Sequence, residues 1–166
     1  MKFSHVLSTR QFSDPDVLRR LFDLALEMEK NVNNGKLFRS LDGKVLATLF
    51  YEPSTRTRFS FETAMHRLGG RVITTEAAGI FSSATKGETL EDTIRIVSGY
   101  ADVIVLRHPD VGSAEKAAHV SRVPVINAGD GMGEHPTQAL LDVYTIWRET
   151  KRLDGLNVIL MGDLKH

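Results

Sequence analysis

The chain contains no cysteine among its 166 residues. That absence excludes disulfides, thiolate metal sites and cysteine nucleophiles, and it suits a reducing compartment. The 21 lysines and arginines equal the 21 aspartates and glutamates in number, so no net field points to nucleic acid or to an anionic membrane surface. No apolar run approaches the roughly 20 residues of a membrane span, and the first residues lack the apolar core of a signal peptide. We therefore expect a cytoplasmic protein without nucleic-acid or membrane partners.

The apolar residues alternate between strand-like and helix-like patterns along the chain. A first helix is predicted after Asp14 and Pro15, which suit a first turn, and Asn34 and Gly35 are its predicted end. Strands are predicted at residues 44–51, 71–75, 102–107, 124–128 and 156–161, and further helices at residues 57–68, 89–100, 113–120 and 137–150. Because parallel strands need crossover helices, this order predicts an α/β fold with a parallel sheet flanked by helices, a three-layer α/β/α arrangement.

A domain boundary is predicted near residues 151–155, where charge and glycine interrupt the apolar rhythm. Residues 1–150 are expected to form the first of two domains. Residues 151–166 are expected to form a linker and the first strand of a truncated second domain. A strand and loop without a following helix make half a folding unit, so we expect the natural sequence to continue.

Polar residues follow the predicted strands in four places, at residues 54–57, 82–86, 107–108 and 129–138. Ligands bind at the carboxyl ends of strands in open parallel sheets, so these segments can converge. Hydroxyls and a guanidinium at a helix start suit a phosphate, although a helix cap beside solvated arginines explains the first segment equally well. Arg107 alone could simply reach water, and His135 could be an ordinary loop residue before Pro136.

Two glycine-containing segments invite a nucleotide-binding interpretation. Residues 129–133, GDGMG, follow a predicted strand and precede a helix, but they lack the full G-x-G-x-x-G spacing. Residues 83–87 do not satisfy the Walker pattern either. The sequence therefore gives nucleotide binding little support.

Four motifs resemble, in the same order, those of the aspartate/ornithine carbamoyltransferase family. They are STRTRFSFE at 54–62, KGETLEDT at 86–93, RHP at 107–109, and NAGDG at 127–131 with HPTQALLD at 135–142. The last three are closer to the aspartate enzymes than to the ornithine enzymes. The resemblance spans nearly the whole chain. It implies transfer of the carbamoyl group of carbamoyl phosphate to L-aspartate, giving N-carbamoyl-L-aspartate and phosphate in pyrimidine biosynthesis, without metal or other cofactor.

The resemblance also assigns roles by position in the motifs. It implies carbamoyl phosphate binding by Ser54, Thr55, Arg56, Thr57, Arg107, His135 and Gln138, with catalytic roles for Arg56, Thr57, Arg107 and His135. Arg107 would bridge phosphate and carbonyl oxygen, His135 would donate to the carbonyl oxygen, and Gln138 would face the carbamoyl amide.

The resemblance further implies that Ser82 and Lys86 reach a neighbouring subunit's site, which requires at least a homotrimer. Sequence alone would make their loop flexible and solvated, and it leaves open whether regulatory subunits attach. The family's aspartate-binding arginines lie beyond this chain, so the L-aspartate site is incomplete and the isolated chain is predicted to be inactive. The alternative is a non-catalytic carbamoyl-phosphate-binding or assembly module.

Overall fold

Four strands form one sheet in the computed structural model, which describes residues 4–76, 87–159 and 161. They are β1 (Val45–Phe50), β2 (Arg71–Glu76), β3 (Val103–His108) and β4 (Val125–Asp130). Their order across the sheet is β2-β1-β3-β4, and every neighbouring pair is parallel. The sequence prediction of a parallel α/β fold is confirmed.

Five α-helices connect or flank the strands of the described chain: α1 (Pro15–Asn33), α2 (Thr55–Arg67), α3 (Leu90–Val97), α4 (Ser113–Val120) and α5 (Pro136–Thr150). As predicted, α1 starts after Asp14, whose carboxylate accepts a hydrogen bond from the Asp16 amide at 2.8 Å, and ends before Asn34. Helix α2 begins two residues earlier than predicted. Within the described ranges, no helix is long and apolar enough to cross a membrane.

The sheet buries both of its faces, which is what makes three layers. On one face Leu49 and Ile104 pack with Ile94 of α3 and Ala117 of α4. On the other face, Met65 of α2 packs with strand residues of β1, β3 and β4, namely Leu46, Phe50, Val105 and Ala128. Side chains alternate across a strand, so neighbouring residues of β1 and β3 serve opposite layers. Burial of such side chains stabilises the fold by about 1.5–3 kcal/mol each.

Helix α1 packs against α5 through one aromatic cluster. The Phe22 ring, 3% exposed, lies 5.3 Å from the Tyr144 ring and 5.1 Å from the Trp147 ring, centroid to centroid. At the periphery, Arg148 donates to both carboxylate oxygens of Glu29, at 2.9 and 2.8 Å. The cluster and this ion pair hold the two long helices together.

The N-terminal segment adds an element that the sequence pattern did not predict. Val6 forms a parallel bridge with Ile126 at the free edge of β4, and a 3-10 helix follows at Thr9–Phe12. The Val6 amide donates to the Val125 carbonyl and the Asn127 amide donates to the Val6 carbonyl, both at 2.8 Å. The edge of the sheet is therefore covered at this point.

The predicted strand at residues 156–161 is wrong for residues 156–159, which form no regular structure. Val158 is 56% exposed and Ile159 is 83% exposed. A strand needs a hydrogen-bonding neighbour and a surface on which to bury its apolar side chains. Within the described chain the sheet order offers it no such neighbour, so an apolar run alone does not produce a strand. The domain boundary near residue 151 stays a prediction.

Candidate anion-binding cleft

A cleft of about 710 Å³ opens at the carboxyl ends of the strands. Its position matches the point where the sheet order reverses, because β1 continues to β2 on one side while β3 and β4 extend the other side. The cleft is lined by Ser54, Arg56, Thr57, Ser60, Arg107, His135, Thr137, Gln138 and Leu141. Three of the four predicted polar segments therefore meet. The fourth, with Ser82 and Lys86, lies outside the described residues.

The start of α2 forms one wall of the cleft. Ser54 precedes the helix with φ −159°, and its side chain makes no capping hydrogen bond. The first-turn amides of a helix have no partners inside the helix, and they carry the positive end of its dipole. Arg56 and Thr57 line the cleft from this turn. Thr55 occupies the first helical position but is not among the lining residues, although it was predicted with them.

Arg107 enters the cleft from the end of β3. Its Nη1 donates to the Ala128 carbonyl at 3.3 Å, and its Nε lies 3.6 Å from a carboxylate oxygen of Glu52. At that distance the contact is an ion pair and not a hydrogen bond. In the described chain the buried Nε therefore has no hydrogen-bond partner. The guanidinium is thus held in place while keeping donors that a ligand can use.

Gly129 allows Arg107 and His135 to come close to the backbone of β4. Its φ is +116°, a conformation that suits glycine. A Cβ at this position would lie 3.2 Å from Nη1 of Arg107 and 3.4 Å from Cδ2 of His135. The sequence places this glycine in a dinucleotide-like loop and in the NAGDG motif, and neither pattern predicts its packing role. Its packing role could be found from sequence only through its place at a strand end between two predicted site residues.

His135 is the N-cap of α5. Its Nδ1 accepts from the Gln138 amide at 3.4 Å, a long hydrogen bond, and lies 3.4 Å from the Thr137 hydroxyl. This arrangement assigns the hydrogen of the neutral ring to Nε2, which can then donate to a ligand. Burial, and next the positive charge of Arg107, lower the pKa of the His135 imidazole. The ring is therefore a neutral donor at physiological pH.

The side chain of Gln138 is oriented by a residue one turn later in α5. Its Nε2 donates to a carboxylate oxygen of Asp142 at 3.0 Å, which leaves the amide oxygen as its acceptor. Three cleft residues lie within the motifs but had no predicted role in the site: Ser60, Thr137 and Leu141. Ser60 and Leu141 stand three residues after Thr57 and Gln138, so helical spacing was the signal that could have found them.

The cleft combines two guanidiniums, hydroxyls, helix amides and a neutral imidazole around one space. Such a set suits an anion that carries a polar carbonyl group next to its phosphate. In the described part of the chain, no cluster of three or more histidine, aspartate or glutamate side chains is placed to hold a metal ion.

A parallel α/β domain with cations and a helix start at the reversal point of its sheet belongs to the anion-binding class. A family model described as the carbamoyl-P binding domain of aspartate/ornithine carbamoyltransferase matches residues 4–148. The chain therefore belongs to the aspartate/ornithine carbamoyltransferase family.

Individual relatives agree with the family assignment. The chain is 61% identical over 163 residues to an aspartate carbamoyltransferase of Arabidopsis thaliana named chloroplastic, covering 98% of this chain and 42% of the relative. It is 55% identical to the aspartate carbamoyltransferase catalytic subunit of Methanocaldococcus jannaschii, covering 98% and 52%.

Among solved structures, aspartate transcarbamoylase from Trypanosoma cruzi in complex with carbamoyl phosphate and aspartate superposes with a TM-score of 0.92 at 44% identity. The match covers 99% of this chain and 53% of that one. The chain spans about half the length of the relatives it matches.

Proposed function

We propose that this chain is the carbamoyl-phosphate-binding half of an aspartate carbamoyltransferase, which transfers the carbamoyl group of carbamoyl phosphate to L-aspartate and releases phosphate. The product, N-carbamoyl-L-aspartate, would serve pyrimidine biosynthesis. The observation that carries the proposal is the shared cleft of Arg56, Arg107 and His135. The names of the relatives and the ligands of the Trypanosoma cruzi complex support it.

In this proposal the phosphate binds at the start of α2. The hydroxyls of Ser54 and Thr57, the Arg56 guanidinium and the first-turn amides hold its oxygens, with Thr55 contributing from the same turn. Arg107 lies across the cleft and bridges a phosphate oxygen and the carbonyl oxygen. Two guanidiniums balance the charge of a phosphate dianion, which explains why a chain with no net charge can select an anion.

The same proposal gives His135 and Gln138 the carbamoyl end. When the aspartate amine attacks the carbonyl carbon, the carbonyl oxygen gains negative charge, and Nε2 of His135 and Arg107 donate to it. The Gln138 amide oxygen accepts from the carbamoyl nitrogen. A new C–N bond forms, the C–O bond to phosphate breaks, and phosphate leaves with the electron pair and takes up the proton that the amine releases. Orientation and charge stabilisation carry the reaction, and no side chain becomes covalently attached.

Assembly and location are further parts of the proposal. Ser82 and Lys86 would complete a neighbouring subunit's site, so a homotrimer is the assembly we propose, and light scattering after gel filtration tests it. We also propose a cytoplasmic location, based on the absence of cysteine, and cell fractionation tests it. The Arabidopsis relative is named chloroplastic, so fractionation has to separate organelles from the cytosol.

Isothermal titration of the chain with carbamoyl phosphate tests the central claim. Arg56→Ala is expected to weaken binding about 10- to 100-fold, the loss of one charge-assisted hydrogen-bonding group. Arg20→Ala, at an exposed position of α1, is the matched control and should leave binding unchanged. Absence of heat with a folded sample, or equal losses for both variants, would contradict the assignment.

The L-aspartate half of the site is proposed to lie outside this chain. The isolated chain should then bind carbamoyl phosphate without forming carbamoyl-aspartate. A colorimetric ureido assay that detects turnover by the purified chain at the rate of an intact family member would refute this part of the proposal.

A further inference from the structure

His135 follows a loop whose own composition does not fix its position. Residues 131–134 connect β4 to α5, and the loop contains Gly131, Gly133 and the 81% exposed Met132. Glycine permits many backbone conformations, and an exposed side chain contributes little packing. His135 nevertheless has to place Nε2 to within a few tenths of an ångström for a useful hydrogen bond. Other contacts must hold the end of this loop.

The first anchor is the side chain of Asp130, the last residue of β4, which is 4% exposed. One of its carboxylate oxygens accepts from the Glu134 amide at 2.6 Å, and the other accepts from the Gly112 amide at 2.9 Å. The Asp130 amide in turn donates to the Glu134 carbonyl at 3.2 Å. These bonds close the loop on itself and tie it to the start of α4.

A second anchor is formed by the Glu134 side chain with the N-terminal segment, more than 100 residues away in sequence. Its carboxylate accepts from the Ser8 hydroxyl at 2.9 Å, from the Thr9 amide at 2.6 Å and from the Thr9 hydroxyl at 2.8 Å. The hydrogen bond from the Thr9 amide is the largest cause of a lowered Glu134 pKa. The charged carboxylate is therefore the form that makes this contact.

The N-terminal segment is itself fixed to the sheet. Besides the Val6 bridge, the Asn127 side chain donates to the Leu7 carbonyl at 3.1 Å and to the Glu134 carbonyl at 3.4 Å. Asn127 is 1% exposed and lies within β4. The Ser8 and Thr9 donors are thus held in the same frame as the cleft, and they grip the residue directly before His135.

We propose that Glu134 is a positioning residue for His135, acting by anchoring the β4–α5 loop to the hydroxyls and amide of Ser8 and Thr9. The ligand-binding part of this claim rests on the proposed function, since it assumes that His135 contacts the carbonyl group of the ligand. In this view the N-terminal segment is part of the machinery of the site, although it does not line the cleft. If the same contact only stabilised the fold, its loss would lower the free energy of unfolding without a specific effect on His135.

The first test needs no ligand and uses NMR on the 166-residue chain. Glu134→Ala should broaden or double the imidazole signals of His135 and raise hydrogen exchange of the Gln138 amide at least tenfold, because that amide bonds to the His135 ring. Glu149→Ala, at an exposed position late in α5, is the matched control and should change neither. Unchanged His135 signals in folded Glu134→Ala protein would overturn the proposal.

The second test compares two ligands. Glu134→Ala should weaken carbamoyl phosphate binding about tenfold, the loss of one hydrogen bond, while binding of inorganic phosphate changes less than twofold. Glu134→Gln keeps one acceptor oxygen and should lie between wild type and Glu134→Ala. Thr9→Val should have a smaller effect that disappears in the Glu134→Ala background, because both changes break one contact.

The outcomes separate the two proposals. Equal weakening of both ligands would show a general structural role and overturn positioning. If the wild-type chain binds phosphate but not carbamoyl phosphate, the proposed function fails, and the NMR comparison still decides whether Glu134 positions His135.

Discussion

Gly129→Ala should disturb the cleft more than the fold. At φ +116° an alanine is strained, at a cost of about 1–3 kcal/mol. For a domain of this size, a loss of about 2 kcal/mol lowers Tm by about 4–8 °C. The new methyl group would also stand 3.2 Å from Nη1 of Arg107 and 3.4 Å from the His135 ring. Under the proposed function, displacing the guanidinium loses a charge-assisted hydrogen bond and should weaken carbamoyl phosphate binding about 10- to 100-fold.

The matched control is Gly43→Ala. Gly43 also has a positive φ, +76°, but its added Cβ would meet nothing within 4 Å. This variant should lose stability through backbone strain alone and keep wild-type affinity. Thermal unfolding followed by circular dichroism and titration calorimetry measure the two quantities on the same samples. Equal affinities for the folded Gly129→Ala and Gly43→Ala proteins would refute the argument that this glycine makes room for the site.

Three further outcomes follow from contacts described above. Because burial and Arg107 lower the pKa of His135, its NMR titration midpoint should fall below 6.5. Protonation of His135 is then disfavoured in the folded state. The contribution of neutral His135 to the free energy of unfolding is therefore complete above pH 6.5 and decreases as the pH falls toward the folded-state pKa. A titration midpoint above 6.5 would contradict this. Phe22→Ala should cost about 3–5 kcal/mol in urea unfolding because it empties the space against Tyr144, and a loss below about 1 kcal/mol would show that the cluster is dispensable. Arg107→Lys should weaken carbamoyl phosphate binding at least about tenfold, since an ammonium cannot reproduce the planar fork of donors, and unchanged affinity in calorimetry would exclude a bridging role.

The parallel sheet and the location of the cleft were predictable because each rests on local patterns. Short apolar runs such as that around Ile104 identify buried strands, and parallel pairing then brings the residues after each strand to one edge. The convergence of Arg56, Arg107 and His135 follows from this rule. Helix α2 starts at Thr55, two residues earlier than predicted, and Ser54 is the non-helical residue directly before it.

Other features depend on contacts that no local pattern encodes. The grip of Ser8 and Thr9 on Glu134 joins positions 126 and 125 residues apart, and periodicity says nothing about which polar side chains meet at such a separation. The run at residues 156–159 has strand composition, yet the described sheet gives it no partner. In the same way, position 129 requires glycine because the side chains of Arg107 and His135, from other segments, pack against it.

At the start of α2, where Ser54 makes no capping hydrogen bond, anion binding and helix stability are expected to be coupled. A dianion seated on that turn supplies the acceptors that the Ser54 side chain does not, so ligand occupancy and helix integrity rise together. By mass action, a ligand at a hundred times its Kd adds about 2.7 kcal/mol to the stability of the folded state. Resistance of the domain to heat and to proteases should therefore increase with the concentration of an anion that binds there.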